Sequence, residues 1–369
     1  MGTKTKTKSP DFIIFFSIIT LLGIGIVMVF SASAISAHFH YKDSYYFLKR
    51  QLIWALAGLI LMVVFMQIDY RIWRKWARPA FFGTLALLVL VLVPGVGKVV
   101  NGARRWIDLK FFALQPSELI KLTMVLYMGD SLTRQQDRIT NFSKGLLPHL
   151  AMLVFVFGLI LMEPDLGTAL AISGTVFLMF FAAGAKLSHL GSLVATGVLG
   201  IIGAIIAEPY RMRRITAFMD PWQDPLDTGY HIIQSLYALG SGGLFGLGLG
   251  RSREKFLYLP EPHTDFIFAI LGEELGFIGT VTIIALFFLL AWRGYKVAIS
   301  APDAFGSILA AGLTTVISLQ AMMNIAVVTA SMPVTGIPLP FISYGGSALL
   351  FTMIGVGILL NISRHMNSK

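Results

Sequence analysis

The sequence predicts an all-α polytopic membrane protein of about ten transmembrane helices, with N-in/C-in orientation and one large structured extracytoplasmic loop. Three observations predict it. Of 369 residues, 56% are hydrophobic and 13% charged, and the mean hydropathy is +0.76, values that a water-soluble chain of this length would not carry. Apolar stretches long enough to cross a bilayer recur along the whole chain. Lys and Arg divide unequally between the connections, which orients the helices. In a soluble protein the formal charge of +10 would suggest nucleic acid; here it is first assigned to membrane sides, and no nucleic-acid partner is expected. Cys is absent, which excludes a disulfide framework, a thiolate metal site and a cysteine nucleophile.

The candidate spans run Phe12 to Ala34, Leu52 to Ile68, Pro79 to Val93, Pro116 to Leu132, Leu146 to Met162, Gly167 to Ala185, Gly191 to Ala207, Phe266 to Trp292, Phe305 to Val328 and Gly345 to Ile362. Lys4, Lys6 and Lys8 before an apolar run ending near Ala32-Ser33-Ala34 look like a secretory signal. The run is longer than a signal core and further spans follow, so it is read as a retained first helix. With the N-terminus inside, fifteen Lys and Arg are cytoplasmic, Lys369 among them, against thirteen outside. Six of the thirteen sit in the long loop, a poor topology determinant; without it the count is fifteen against seven, Lys110 among the seven. That favours both termini inside.

External arginines that oppose this bias suit an anionic ligand, because a guanidinium grips phosphate oxygens bidentately. Arg104 and Arg105 precede Trp106 at headgroup height, and Arg50 stands with Lys49 at the mouth of the second helix. Ordinary interfacial anchoring accounts for the same residues. The fourth helix opens Gln115-Pro116-Ser117-Glu118, with Pro in the first turn. Glu118 and Lys121, three apart, either neutralise each other or set a buried cation on a polar cavity. In Glu163-Pro164-Asp165, Pro164 ends one helix and Asp165 caps the next.

The stretch from Glu208 to Thr264 is too long for a simple connection. Thr228 to Leu239 has near-helical apolar spacing, which suggests a short interfacial helix. Gly240 to Gly250 carries six glycines before Arg251, Arg253 and Lys255. Main-chain donors beside that basic cluster suit a diphosphate, and a flexible hinge is the competing account. No nucleotide motif is present.

Asp265 stands where this loop runs into an apolar helix, and a carboxylate at a membrane mouth is a functional-site candidate, although Asp also caps helices. At 100° and 1.5 Å per residue, Glu273 lies about 80° around from Asp265 and about 12 Å deeper, while Glu274 faces the other way. Only Glu273 is then placed to share a cavity wall with Asp265, and Glu274 is expected to pair with a neighbouring helix unless Gly272 bends the axis. The three prolines of Pro333 to Phe341 exclude regular helix. They lead into Ser343, Tyr344 and the small residues that open the last span. The outer face thus gathers one carboxylate, a glycine-rich basic loop and further arginines, a set suited to chemistry on a lipid-linked diphosphate.

The stretches NGARRWI, QPSELIKL, EPDLGT, YHIIQSLYALGSGGLFGLGLGRSREKFLYLPEPHTDFIFAILGEELG, GIPLPFISYGGSALL and NISRH resemble the SEDS family (shape, elongation, division and sporulation), nearest its FtsW/SpoVE branch with RodA more distant. The resemblance covers nearly the entire chain. It implies a single integral membrane domain over 1–369, with 208–264 as its large outer loop. It also implies a peptidoglycan glycosyltransferase that polymerises lipid II and releases undecaprenyl diphosphate, partnered by a class B penicillin-binding protein in the membrane lipid. The family's catalytic Asp of the HTDF motif falls on Asp265. Lys121 and Glu273 or Glu274 match its cavity residues, and Glu118, His263 and Ser343 complete the supporting set. A divalent cation, Mg or Mn, bridged by Asp265 is admitted. Two alternatives stay open from the residues alone: a flippase for a lipid-linked precursor, and a non-enzymatic scaffold for the transpeptidase.

Overall fold

The computed structural model describes residues 9–366 except 101, 110, 111 and 257, and the backbone alone at 100. Lys4, Lys6, Lys8, Lys110 and Lys369, counted above for orientation, lie outside the described residues. The helices are α1 (Phe12–Tyr41), α2 (Tyr46–Gln67), α3 (Arg71–Leu92), α4 (Pro116–Arg134), α5 (Leu147–Met162), α6 (Leu166–Ala182), α7 (Leu187–Ile206), α8 (Pro209–Met219), α9 (Tyr230–Ser241), α10 (Ile267–Ser300), α11 (Ala304–Val328) and α12 (Gly346–Ser363). Eight of those described are long and apolar enough to cross a membrane, and α6 is a shorter apolar helix.

One departure from an all-α chain lies between α3 and α4. Here β1 (Gly97–Val100), β2 (Ala103–Asp108) and β3 (Ala113–Leu114) form an antiparallel sheet in sequence order. Arg104-Arg105-Trp106-Ile107 alternates outward and inward positions, the period of a strand with one face on protein, and Gly102 at φ +77° makes the turn.

α4 and α11 form the centre. α4 packs on α3, α11, α6 and α12, and α11 on α10, α6 and α4. The charges of α4 are tolerated because protein, not lipid, surrounds them: Glu118, Lys121 and Asp130 are all buried. α12 lies tightly against α2, since a Cβ at Gly357 would come within 2.6 Å of the Met62 carbonyl oxygen. Close backbone approach of this kind replaces the hydrophobic drive that lipid does not supply. α7 is the opposite case, peripheral against α6 and α8, with only Leu190 buried.

Both ends of the bundle are tied by polar contacts. At the end where the described chain begins and finishes, Asp11 caps α1 and pairs with Arg293 of α10, while its backbone N–H donates to Ser363 of α12. The opposite end carries the sheet, α8, α9 and the irregular segments before α10 and α12.

Candidate active site

α10 is broken at Gly276, whose φ of +68° with ψ of −166° only glycine adopts without strain. Gly272 stays helical. The bend anticipated from the sequence is therefore four residues later, where the glycine-rich segment docks. The carbonyls of Glu273 and Glu274 accept from Leu247 and Gly248, and the N–H groups of Phe277 and Ile278 donate to Gly243 and Leu244. Broken helix inside a membrane protein is stable when neighbouring backbone satisfies its orphaned groups. Those donors and acceptors of the Gly240 to Gly250 stretch are consumed by α10.

The two glutamates complete the same knot. Glu273 accepts from the Ser252 hydroxyl at 2.5 Å and the Arg253 N–H at 2.8 Å. Glu274 accepts from Lys255 Nζ at 2.8 Å and from Ser31 of α1 at 2.7 Å. Lys255 is buried, so it serves as an internal counter-ion, and only Arg251 and Arg253 of that basic cluster face outward. Glu273 faces the loop and not Asp265: helix begins only at Ile267, so a straight-helix projection from Asp265 does not apply.

Asp265 itself does not cap α10, which has no side-chain cap. Among the described residues none donates a hydrogen bond to its carboxylate, and the residue is partly exposed. Its backbone is fixed from three sides. Asn324 of α11 donates to the carbonyls of Asp265 and Ile337 at 2.7 and 2.8 Å. Ser343 donates to the Thr264 carbonyl at 2.6 Å and accepts from the Leu339 N–H. The Tyr344 N–H donates to the His263 carbonyl. Gly336, at φ +74°, lies against the carboxylate, where a Cβ would come 3.4 Å from Oδ2.

Burial first, then the like charges of Glu261 and Asp165, push the Asp265 carboxyl up to about 6, against the opposing pull of Arg105 and Arg214. Arg105 reaches in from β2, held by the carbonyls of Glu163 and Pro164 at 2.8 and 2.5 Å, with Asp165 at 4.0 Å. Arg104 is on the outward face of the same strand. Asp165 caps α6 through the Thr168 N–H, as its spacing suggests. Glu163 is fully buried, and burial followed by Asp165 raises it to about 8. Arg214 of α8 donates to the Val334 carbonyl at 3.0 Å. Arg214 and Glu261 were not singled out by sequence reasoning; the only signal for Arg214 was its place in the external Arg excess.

The remaining candidates fall in two further places. His263 is buried, its ring 4.3 Å from Phe47 and 5.7 Å from Tyr344, and burial holds the imidazole below its ordinary value, hence neutral. Arg50 stands beside Tyr344 and 4.7 Å over the Tyr46 ring, which puts it on this wall. Glu118 and Lys121 pair at 2.7 Å, and Lys121 also donates to Gln320. They line a separate cavity of about 20 Å³ between α4, α11 and α12, room for a water but not a sugar. Gln320 donates to Pro338 one turn from Asn324, so the inner pair and the Asp265 loop share one support. No group of three His, Cys, Asp or Glu is placed to hold a metal ion among the described residues.

These features meet known proteins over nearly their whole length. Residues 12–368 match the family model described as FtsW/RodA/SpoVE, cell cycle protein. Stage V sporulation protein E of Bacillus subtilis is 50% identical, covering 98% of this chain and 99% of that protein. A probable peptidoglycan glycosyltransferase FtsW of a Geobacter species is 48% identical, covering 98% of each. Among solved structures, a chain from a peptidoglycan synthase complex that coordinates polymerization and crosslinking is 31% identical, with a TM-score of 0.78 over 96% of this chain and 98% of that one. The Rod shape determining protein RodA of Thermus thermophilus is 28% identical, with a TM-score of 0.69 over 98% of each. The chain, a multi-pass membrane protein, belongs to the FtsW/RodA/SpoVE family of cell cycle proteins.

Proposed function

We propose that this protein is a peptidoglycan glycosyltransferase that polymerises lipid II into β-1,4 glycan strands in division or sporulation, releasing undecaprenyl diphosphate. The observation that carries this reading is a partly exposed carboxylate that no described residue donates a hydrogen bond to, raised to about 6 and flanked by two guanidiniums. Such a group is free to accept a proton from a substrate hydroxyl. The names of the FtsW relatives and of the synthase complex support the same chemistry.

In this reading Asp265 takes the proton of the acceptor GlcNAc 4-hydroxyl as that oxygen attacks the anomeric carbon of the donor MurNAc. The bond to the diphosphate breaks in the same displacement, inverting the α-linked donor to a β linkage. Arg105 and Arg214 lie where they would take up charge on the departing diphosphate. Arg105 is prealigned by two backbone carbonyls, so it pays no reorganisation during the reaction. With no group of three His, Cys, Asp or Glu placed to hold a metal among the described residues, no step is assigned to Mg or Mn. Arg251, Arg253 and Arg104 are read as outer contacts to lipid or substrate phosphate.

The bundle is read as ten crossings, α4 and α6 included, with both termini cytoplasmic and the 208–264 loop outside. A class B penicillin-binding protein is the expected partner. The test is purified protein in detergent with lipid II alone. Glycan strands that vanish in Asp265→Asn are expected; strands unaffected by that change would remove Asp265 from the chemistry, and lipid translocation without strands would support a flippase.

A further inference from the structure

The end of the bundle remote from Asp265 holds a second carboxylate with arginines, arranged in another way. Asp130, in the penultimate turn of α4, is fully buried. Arg74 and Arg78 of α3 and Arg134 of α4 converge on it, with Nε to carboxylate distances of 3.0, 3.5 and 2.8 Å. Arg74 and Arg134 donate to it through Nε, and Arg78 meets it as an ion pair. The side chains are 41%, 55% and 49% exposed, and the Arg74 guanidinium also lies 5.9 Å over the Phe305 ring.

Three guanidiniums on one carboxylate leave an excess of about two positive charges. The helix geometry adds to it. Arg74, Lys75 and Arg78 stand in the first turns of α3, at its positive dipole end, with no acidic residue in the first turn. Arg71, by contrast, is neutralised by Asp69 and Asp303. Trp76, 58% exposed between Arg74 and Arg78 in the sequence, marks this height as the membrane interface.

We propose that Arg74, Arg78 and Arg134, splayed by Asp130, form a binding site for the phosphate of an anionic phospholipid headgroup in the leaflet on the side of the chain termini. Asp130 fixes each guanidinium by its inner edge and leaves the outer edge as a preset fork for phosphate oxygens. Basic pockets between transmembrane helices hold such headgroups by the same chemistry.

The test uses the full-length protein in detergent, exchanged against phosphatidylglycerol, cardiolipin or phosphatidylcholine, with retained lipid read by native mass spectrometry. Wild type is expected to retain the two anionic lipids over phosphatidylcholine. Retention should fall about fivefold in Arg78→Gln and more than tenfold in Arg74→Gln with Arg78→Gln, at about 1 kcal/mol per basic residue. Arg78 has the longest contact with Asp130, so its single variant keeps the test open if the double variant does not fold. Lys75→Gln removes the same charge at the same depth without touching Asp130 and should lose clearly less lipid than Arg78→Gln. Equal losses in Lys75→Gln and Arg78→Gln would reduce the site to net charge and overturn the proposal. So would unchanged retention in a folded Arg78→Gln, or arginine-dependent stabilisation by inorganic phosphate with none by lipid.

Discussion

Asp265 and the Glu273–Glu274 pair stand eight residues apart, yet they have opposite surroundings. The glutamates are buried and saturated: hydroxyls, backbone N–H groups and an ammonium fill their oxygens. Asp265 is partly exposed, has its backbone pinned by Asn324 and Ser343, and receives no hydrogen bond on its carboxylate among the described residues. A saturated acid has no capacity left for a substrate, while an acid with a fixed backbone and empty lone pairs has. On the proposed function, the difference separates structure from chemistry within one short stretch.

The contrast predicts opposite phenotypes. Asp265→Asn should lower lipid II polymerisation by about 10²–10⁴-fold, the usual contribution of a general base, without lowering the melting midpoint in detergent. The sign follows from its raised carboxyl. Stability linked to its protonated form is complete below the unfolded Asp value and is lost as pH rises through about 6, and Asn removes that loss at neutral pH. A large drop in melting temperature would place Asp265 with the structural acids.

Glu274→Gln should do the reverse. It strands the buried Lys255 ammonium and costs about 3–5 kcal/mol, read as an early melting transition. Adding Lys255→Met to Glu274→Leu should recover much of the loss. A stable Glu274→Gln protein would refute the knot as a structural unit. Gly276→Ala tests the same knot through the backbone, since its Cβ would meet the Gly246 nitrogen at 2.3 Å; about 1–3 kcal/mol is expected.

The smallest effect concerns pH. Activity should fall on an acid limb near pH 6, where Asp265 takes up a proton. Because Arg105 lowers that value, Arg105→Gln should shift the limb upward. A limb that stays in place, measured as kcat/KM against pH, would separate Arg105 from the Asp265 field.

Much of this was legible from residue order. Helix positions follow from runs of apolar residues, and Asp165 capping α6 or Glu118 pairing with Lys121 follows from spacing within one element. Lys255 illustrates the limit. In the sequence it sits in a basic cluster beside glycines, and nothing local distinguishes a phosphate ligand from a counter-ion until α10 breaks and brings Glu274 to it. Arg214 is the converse, one of several loop arginines until α8 folds it back toward Asp265.

The sequence by itself determined the membrane class, the helical runs and the identity of the mouth-of-helix aspartate, because hydrophobicity and local spacing are properties of neighbouring residues. Tertiary structure alone decided which charges are spent on one another and which, like Asp265, are proposed to meet a substrate. That partition depends on burial and on donors from distant segments, Ser31, Ser252 and Asn324 among them, and sequence distance does not encode it.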